Sequence, residues 1–422
     1  MRRALRIPSR PYMHYFLEPV ENPITSAYVP LFGWLVADRP PRSITVNVFG
    51  TPAPYELHPK ADIAAAHPGK YTTGIYSILE ISHFAPQIER AANTLDLDIC
   101  MDGVTFVRQT IAVAGSAMAL AATGQAHKHR KRDFMLHHAQ CPACSQPLPA
   151  SGFMTQLRDP HPSQPPGAGH EPLSSELLPR SIVCPTCQTA YPQGTGALNL
   201  IADPTFAIHR ALPTSLCRYS DLETRVIEEA RTRGGYVLDF GAGLRDVNAD
   251  NVINLEIADY PTTDVLSNAD SLPFLPESFD AVISLHVMEH VPRPWLIASE
   301  MQRILKPGGV VLCTVPFVSM EHGFPDHYYN MTRSGLKNLF AGMTLVDHVV
   351  KEDGHPINSV QQVLSTYSGS LAEPYRSAFG ALRVKDIVHA NLPDLLLRDF
   401  ATNLPDRARW TMAAHTTVLM RK

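Results

Sequence analysis

The feature that most constrains the fold is a series of five strand-like runs in the second half of the chain. From about Phe206 onward, these runs alternate with helical patterns and turns. Such alternation predicts a parallel sheet whose strands are joined by crossover helices. The runs are YVLDF, NVINLE, NADSLPF, FDAVISLHVMEHV and the end of RILKPGGVVLCTVPF. The sequence therefore predicts an α/β, doubly wound domain over residues 205–422.

The first run leads into VLDFGAG, residues 237–243, which places a carboxylate just before two glycines. By itself this could be a tight turn, because it falls short of the dinucleotide pattern G-x-G-x-x-G. Open α/β sheets, however, bind ligands at the carboxyl ends of their strands, where glycine lets backbone N–H groups approach closely. Only eight residues, 244–251, precede the second run. Parallel strands usually need a dozen or more residues for a helical crossover, so the first crossover is predicted to be a loop or a single turn.

The ordered set of runs resembles the class I S-adenosylmethionine-dependent methyltransferases and covers roughly the last half of the chain. The segments NLEIADYPTTDV, SLPF, RILKPGG and HGFPDHYYNMT resemble, more closely, bacterial methyltransferases encoded among surface-polysaccharide functions. This cofactor carries a sulfonium and an ammonium but no phosphate, so carboxylates suit its pocket. The resemblance implies that Asp239, Gly241 and Gly243 line the methionine and ribose side of the cofactor and that Glu256 holds the ribose. It also implies that Asp270 and Leu272 lie beside the adenine and that His286 makes a further cofactor contact.

Four residues are candidates for the chemistry of methyl transfer. An in-line displacement gains much from alignment alone, but a hydroxyl acceptor also needs a base. His290 follows the fourth run, and His322, Asp326 and His327 follow the fifth. Neighbouring parallel strands end at one edge, so these residues are predicted to be catalytic or to contact substrate. For His290, a structural role at the start of the next helix is an equal alternative, and a histidine-rich metal site lacks the usual i, i+4 spacing.

Two C-x-x-C pairs lie ahead of this domain, at Cys141 and Cys144 and at Cys184 and Cys187. Four thiolates at this spacing favour a closed, tetrahedral zinc site with a structural role. A redox dithiol would instead need one pair at the start of a helix in a βαβ unit. The segment CPTCQTAYPQGTGALNLI resembles the C-terminal half of zinc ribbons that precede some methyltransferase domains. We therefore predict a zinc-ribbon-like segment over residues 137–204, with a Pro-rich insertion over 145–181.

The N-terminal part is predicted to be all-β. Apolar side chains alternate in SITVNVFG and LDLDIC, and Asp102-Gly103 is a hairpin signal. A β-sandwich is expected over residues 1–115, and FGWLVA and YTTGIY resemble a β-sandwich module found ahead of bacterial surface-glycan enzymes. Residues 116–136 include the basic run HKHRKR, which is typical of a solvated linker. An RNA-contacting arm is the alternative interpretation of that run.

Composition excludes some functions and favours one compartment. A formal net charge of −4 gives the chain no overall attraction to nucleic acid or anionic lipid. The N-terminus lacks the apolar stretch of a secretory signal, and Ile111 to Ala122 is too short for a membrane span. Paired cysteines of this kind favour a reducing compartment, so a cytoplasmic protein is expected.

The predicted reaction is methyl transfer from S-adenosylmethionine to an oxygen or nitrogen of a small or glycan-type acceptor, such as a sugar, a glycolipid or a surface-polysaccharide precursor. A methyltransferase acting on RNA is the first alternative, since a zinc ribbon and a basic segment can present a phosphate-binding face. A scaffold that binds the cofactor without catalysis is the second. The presence of Asp239, Gly241, Gly243 and Glu256 disfavours that last interpretation.

Overall fold

A computed structural model describes residues 13–148, 181–193, 197–201, 209–210, 214, 216–268, 270–323 and 326–413. The chain divides into two compact units. The first unit comprises residues 1–283 and 303–312, and the second unit comprises residues 284–302 and 313–422. Most of the predicted Pro-rich insertion lies outside the described residues.

Eight strands form the N-terminal part of the first unit. They are β1 Met13–Leu17, β2 Tyr28–Ala37, β3 Ile44–Val48, β4 Thr51–Ala53, β5 Glu56–His58, β6 Tyr71–Glu80, β7 Thr94–Met101 and β8 Val104–Ala112. Two four-stranded antiparallel sheets result, with the orders β1-β2-β6-β5 and β4-β3-β7-β8. Helices α1 Ala61–Ala66 and α2 Ala85–Arg90 and a 3₁₀ turn Ile81–Phe84 connect strands. As predicted, Asp102 and Gly103, with φ of 49° and 79°, form the two-residue turn between β7 and β8.

One apolar core joins the two antiparallel sheets. The alternating residues of β3 and β7 point into it, and Val46 and Leu97 are fully buried. The same core also contains Leu244, Ala258 and Tyr260 from the second half of the sequence. The N-terminal sheets therefore share buried surface with elements well beyond residue 115.

The segment predicted as a solvated linker belongs to helix α3, Gly115–His138. Its first half contributes Ala117 to the shared core, and in its second half the ring of Phe134 stacks on Tyr236 with centroids 4.0 Å apart. Lys131, in the middle of the basic run, is completely buried, and its Nζ donates to Asp264 Oδ2 at 2.8 Å. The structure differs from the prediction because a helix directs consecutive side chains to different sides, so one lysine of a charged run faces inward.

In the described part of the chain, twelve further strands follow α3. They are β9 Ser181–Val183, β10 Ala190–Pro192, β11 Leu198–Asn199, β12 His209–Arg210, β13 Leu216–Cys217, β14 Val237–Phe240, β15 Leu244–Arg245, β16 Val252–Glu256, β17 Ala258–Asp259, β18 Val265–Leu266, β19 Phe279–Leu285 and β20 Leu305–Thr314. Strands β9 and β10 form an antiparallel pair, and β12 with β17 and β13 with β15 form parallel pairs.

The main sheet has six strands in the order β11-β18-β16-β14-β19-β20. The pairs β11/β18, β18/β16, β16/β14 and β14/β19 are parallel. From β14 the chain proceeds outward first through β16 and β18 and then through β19 and β20, which confirms the predicted α/β, Rossmann-like parallel sheet. Two details differ from the predictions. The third strand is Val265–Leu266 rather than NADSLPF, which is a loop, and β11 joins this sheet although residues 137–204 were assigned to the zinc segment.

The helix before the first strand of the main sheet begins and ends at residues typical of helix termini. Helix α4, Asp221–Thr232, begins after Ser220, whose N–H donates to Glu223 Oε2 at 2.7 Å, and it ends before Gly234 at φ 69°. Between β14 and β16 there is no helix, as the eight-residue separation predicted. Helix α5, Pro294–Ile304, leads into β20. This helix buries Ile297 and Met301 and places Trp295 at the surface with 52% exposure.

The second unit is helical beyond β20. Its helices are α6 Arg333–Leu339, α7 Pro356–Ser370, α8 Tyr375–Gly380, α9 Val384–Val388, α10 Leu392–Leu396, α11 Asp399–Thr402 and α12 Asp406–Thr411. Within the described residues after Thr314 there is no strand, so the predicted alternation stops at β20. None of the described helices combines the length and the apolar character that a membrane span requires.

Candidate functional site

The glycine turn after β14 adopts a backbone that only glycine accommodates easily. Gly241 and Gly243 have φ of 71° and 65°, in the left-handed region where other residues are strained. A Cβ on Gly243 would also lie 3.0 Å from Cys217 Sγ. The N–H of Gly241 donates to Leu255 O at 2.9 Å, so β16 fixes the turn at the carboxyl edge of the sheet.

Asp239 is completely buried at the end of β14 and is partnered from within the protein. Its Oδ2 accepts hydrogen bonds from the Tyr219 hydroxyl at 2.5 Å and from Arg245 Nε at 2.7 Å. The Arg245 guanidinium also lies 4.2 Å from the centre of the Tyr219 ring. Burial raises the pKa of Asp239, while Arg245 and the Tyr219 hydroxyl oppose that rise. The other oxygen, Oδ1, is buried without a hydrogen-bond partner in this structure, which leaves an acceptor available at the sheet edge.

Glu256, at the end of β16, is held by backbone donors. Its Oε1 accepts from the N–H of Gly243 at 2.7 Å, and its Oε2 accepts from the N–H of Ile257 at 2.8 Å. Burial raises the pKa of Glu256, and the two backbone donors lower it. The backbone of Ala258 is a third donor that lowers the pKa of Glu256, so three backbone groups hold this carboxylate beside the glycine turn. A carboxylate has about four lone-pair sites, which leaves one for a ligand hydroxyl.

The two predicted adenine-side residues lie in the loop between β18 and β19. Leu272 is buried, and its carbonyl accepts from Arg303 Nη2 at 3.1 Å. Asp270 is half-buried in the same loop. Arg303 Nη1 also donates to Phe274 O at 2.8 Å, so one guanidinium fixes the loop at two points. The structure thus gathers Asp239, Gly241, Gly243, Glu256, Asp270 and Leu272 in the first unit, whereas His286 belongs to the second unit.

A cluster of imidazoles surrounds a buried carboxylate in the second unit. Glu289 is completely buried, and neither carboxylate oxygen has a hydrogen-bond partner. His286 Nδ1 and His290 Nε2 each lie 3.9 Å from Glu289 Oε1, which is beyond hydrogen-bond distance. Burial raises the pKa of Glu289 to about 7. His286 has the left-handed φ of 57°, a strained backbone of the kind that clusters at functional sites.

Hydrogen bonds assign different states to the predicted catalytic histidines. His290 Nδ1 lies 2.7 Å from Asp326 O, so Nδ1–H donates to that carbonyl and Nε2 carries the lone pair. His327 Nδ1 accepts from the N–H of His322 at 3.2 Å, and its Nε2 donates to Asn330 Oδ1 at 3.0 Å. Burial lowers the pKa of both His290 and His327. Both nitrogens of His327 are therefore engaged within the protein.

The remaining two predicted catalytic residues lie in the same loop. His322 is exposed, its ring centre is 5.2 Å from that of His290, and its Nδ1 donates to Met320 O at 2.9 Å. The carboxylate of Asp326 accepts from the Tyr328 hydroxyl at 3.1 Å. The loop thus brings His290, His322 and His327 together, while Asp326 contributes its carbonyl to the cluster. Their catalytic role stays a prediction.

The four cysteines of the C-x-x-C pairs converge on one point. Their sulfur atoms all lie within 4.8 Å of one another. Between the pairs, Cys141 Sγ is 3.6 Å from Cys187 Sγ, and Cys144 Sγ is 3.6 Å from Cys184 Sγ. Four mutually close thiols are the donor set of a tetrahedral metal site.

The two cysteine turns have the same backbone geometry. In the first turn the N–H of Ser145 donates to Cys141 O at 2.8 Å, and in the second the N–H of Gln188 donates to Cys184 O at 2.9 Å. Ser145 and Gln188 have φ of 59° and 60°. Such repeated geometry aims both thiols of each turn at the same point, which fits a structural metal ion.

Two functional residues were missed by the sequence analysis. Tyr219, which bonds Asp239, precedes the α4 helix and belongs to no motif. Glu289 lies between the two histidines of HVMEH, and the signal was present: an acid in an apolar run that continues a buried strand. Arg245 lies in the short crossover predicted over residues 244–251, but its ion pair with Asp239 could not be inferred from spacing.

Comparison with known proteins identifies the central part of this region. Residues 223–313 match the family described as a methyltransferase domain. The matched region includes β14 to β19, the glycine turn and the HVMEH segment.

Similar proteins from mycobacteria are also described as methyltransferases. An uncharacterized methyltransferase of Mycobacterium tuberculosis is 34% identical over 116 residues, which are 28% of this chain and 42% of that protein. One from Mycobacterium marinum is 32% identical over 120 residues, 28% of this chain and 44% of that protein. The match spans less than half the length of these relatives. A solved Haloferax volcanii complex containing the Trm112 methyltransferase activator aligns at 23% identity over 22% of this chain and 52% of that chain, with a TM-score of 0.16.

Proposed function

We propose that this chain is an S-adenosylmethionine-dependent methyltransferase. The observation that supports this most directly is Glu256, whose carboxylate is bonded to the glycine turn through Gly243 and keeps an acceptor position for a ligand hydroxyl. Together with the methyltransferase-domain match over residues 223–313, this arrangement favours a ribose-bearing ligand at the carboxyl edge of the parallel sheet.

The charge of the proposed pocket suits this cofactor. Bound S-adenosylmethionine supplies an electrophilic methyl group on a positively charged sulfur. Asp239 and Glu256 place carboxylates at the strand ends, and the unpartnered Asp239 Oδ1 offers an acceptor to an ammonium group. Arg245 neutralises the other side of Asp239. A phosphate-bearing dinucleotide would meet two acids here, which disfavours it.

We propose that Gly241, Gly243, Asp270, Leu272 and His286 complete the cofactor contacts. The glycine turn keeps side chains away from the ligand, and Leu272 and Asp270 lie in a loop that Arg303 fixes. Leu272 offers an apolar surface to a base, and Asp270 offers an acceptor to its amino group. These assignments rest on the resemblance to class I methyltransferases and on the placement of the residues.

The acceptor that we propose is an oxygen or nitrogen of a sugar, a glycolipid or a surface-polysaccharide precursor. It follows from the resemblance of HGFPDHYYNMT and its neighbours to methyltransferases encoded with surface-polysaccharide functions. His290, His322, Asp326 and His327 are the proposed acceptor-side and catalytic residues. Of the histidines, His290 and His322 keep a ring nitrogen that the described hydrogen bonds do not use, whereas His327 does not.

The tetracysteine cluster is proposed to bind a structural zinc ion. Its four thiolates close the coordination sphere, so no position is left for substrate. We also propose the division into a β-sandwich module over residues 1–115, a zinc-ribbon-like segment over 137–204 and a methyltransferase domain over 205–422, in a cytoplasmic protein. Within the first unit, the shared core joins parts of the first and third segments, and strand β11 joins the second segment to the main sheet.

The RNA alternative loses support from helix α3. Three members of the basic run bond to the loop after β15: His127 Nδ1 contacts Asn248 O at 2.5 Å, Arg130 pairs with Asp250 at 3.0 Å, and Lys131 also reaches Asn248. Groups used in this way contribute little to a phosphate-binding face. This favours the small or glycan-type acceptor.

Calorimetric titration of the full-length protein with S-adenosylmethionine tests the proposal. Glu256→Ala and Asp239→Ala should each weaken binding at least tenfold, because each removes an acceptor for a cofactor donor. Glu228→Ala, on the exposed side of α4, is the matched control and should leave affinity unchanged. Unchanged affinity in both carboxylate variants, with folding intact by circular dichroism, would refute the proposed pocket.

A further inference from the structure

We propose that Glu289, His290 and His322 bind a divalent first-row transition metal ion, at a site separate from the tetracysteine cluster. One potential ligand atom from each of the three residues lies within 4.8 Å of the other two. All three residues belong to the second unit. The ligand set is one carboxylate and two imidazoles.

The carboxylate is the first reason for this assignment. Glu289 is completely buried, yet neither of its oxygens accepts a hydrogen bond in this structure. Burying a carboxylate without a hydrogen-bond donor costs free energy. An unsatisfied buried group of this kind indicates a missing partner, such as an ion. The nearest imidazole nitrogens, on His286 and His290, stop at 3.9 Å. A direct charge-assisted hydrogen bond would be about 1 Å shorter, whereas an ion between the groups accounts for the separation.

The protonation of the imidazoles is the second reason. Metal-bound histidines usually donate their other ring N–H to a carbonyl or carboxylate, which directs the lone pair toward the ion. His290 does this through Nδ1 and Asp326 O, and His322 does so through Nδ1 and Met320 O. Both residues therefore present Nε2 as a free lone pair. Two independent backbone carbonyls prepare the two rings in the same way.

The loop that carries His322 is built for close approach to His290. Gly323 has φ 122°, and a Cβ at this position would lie 2.5 Å from His290 Cε1. Only glycine lets the backbone pass at this distance. His327 supports the loop from the other side, because its Nδ1 accepts the N–H of His322 and its Nε2 donates to Asn330. With both nitrogens used, His327 is a positioning residue and not a ligand.

The donor set indicates the kind of ion. Imidazole nitrogen suits zinc, iron, cobalt, nickel and copper better than magnesium or calcium, and carboxylate oxygen suits all of them. Three protein ligands leave coordination positions open, as in catalytic rather than structural sites. His322 is exposed, so water or a substrate oxygen can reach the ion from solvent. The tetracysteine cluster, by contrast, supplies four sulfurs and no open position.

Manganese(II) is the probe that separates the two clusters, because the carboxylate of Glu289 suits this ion whereas thiolates select softer ions. The full-length protein, purified without chelator so that any metal at the tetracysteine cluster is retained, is titrated with MnCl₂ and followed by electron paramagnetic resonance. We expect about one bound Mn²⁺ per chain, with nitrogen couplings from imidazole in the pulsed spectrum. Glu289→Gln and His322→Ala should each weaken binding at least tenfold.

Glu352→Gln and His389→Ala replace exposed residues of the second unit outside the cluster, and they should leave Mn²⁺ affinity unchanged. Since His322 is exposed, its replacement tests the ligand role without disturbing a buried position, and thermal unfolding checks each variant. Failure to bind Mn²⁺, or binding that both cluster variants leave unaltered, would overturn the proposal. The titration contains no S-adenosylmethionine, so its outcome is independent of the proposed cofactor pocket.

Discussion

Buried carboxylates in the two units are treated in opposite ways. In the first unit, the buried Asp239 accepts from Arg245 and Tyr219, and the buried Asp264 accepts from Lys131 and the N–H of Asn254. The half-buried Glu256 accepts from two backbone N–H groups. In the second unit, Glu289 is buried as deeply and accepts none. In the first unit, the chain itself supplies the donors for these carboxylates. In the second unit, Glu289 has no such donor, so we expect an ion to take that place.

This difference separates two uses of a buried acid. A carboxylate with a built-in cation holds structure together, and removing the cation destabilises the fold. A buried carboxylate that accepts no hydrogen bond, such as Glu289, lowers the stability of the fold but can bind a metal ion. The comparison thus predicts that loss of a counter-charge in the first unit lowers stability, whereas substitution of Glu289 removes metal binding and, without metal, raises stability.

The largest effect is expected for Lys131→Met. It leaves Asp264 buried without its cation and should lower the free energy of unfolding by about 3–5 kcal/mol, measured by urea denaturation. Lys128→Met, an exposed neighbour on α3, should change it by about 0.5 kcal/mol or less. If the two variants were equally stable, the first unit would not depend on its internal ion pairs as described.

Arg245→Lys tests whether geometry, and not charge alone, satisfies Asp239. Arginine uses Nε and Nη2 on the same oxygen and lies over the Tyr219 ring, a combination that lysine cannot reproduce. We expect a loss of about 2 kcal/mol in chemical denaturation. Arg233→Lys, at the end of α4, is the control. A neutral result at Arg245 would mean that any cation suffices there.

Gly243→Ala sharpens the comparison at Glu256, whose donor is the Gly243 N–H. The left-handed backbone costs an alanine about 1–2 kcal/mol, and its methyl would crowd Cys217 Sγ. Thermal unfolding should show this loss together with weaker S-adenosylmethionine binding. Gly369→Ala, in helix α7 with no atom near its Cβ, should instead stabilise the protein slightly. Matching losses at both glycines would argue against a special backbone at residue 243.

The smallest effect, opposite in sign to the three losses above, is expected for Glu289→Gln. In protein dialysed free of weakly bound metal, removal of the unpartnered charge should raise the free energy of unfolding by about 1 kcal/mol. Added Mn²⁺ should then stabilise the natural protein but not the variant. Glu352→Gln should respond to neither change. A destabilised variant without metal would show that Glu289 has a structural partner.

Much of the parallel sheet could be predicted from sequence because its signals are local. Asp239 and Gly241 mark a strand end, Ser220 marks a helix start, and eight residues are too few for a helical crossover. The third strand was misplaced because Val265–Leu266 has only two residues, which is too short for a hydrophobic pattern. The charged run in α3 misled for a related reason, since charge alone does not show which side chain of a helix is covered.

The candidate site was predictable only in part. The acids and glycines at strand ends follow from a pattern, but their partners come from distant residues: Tyr219 and Arg245 meet Asp239, and Met320 directs the ring of His322. Such pairings depend on tertiary contacts that carry no fixed spacing. Glu289 illustrates this limit, because only the three-dimensional structure shows that its carboxylate is buried without a hydrogen-bond partner.

Helix α3 has a consequence for how the first unit can change in evolution. It is 24 residues long, or about 36 Å, with Ala117 set in the β-sheet core near one end, Lys131 locked to Asp264 further along, and Cys141 just beyond the other. A single inserted residue between the first two anchors would turn the second by about 100° and aim the ammonium away from its acid. Insertions or deletions within α3 therefore keep both anchors correctly directed only if they add or remove whole helical turns, unless both ends change together.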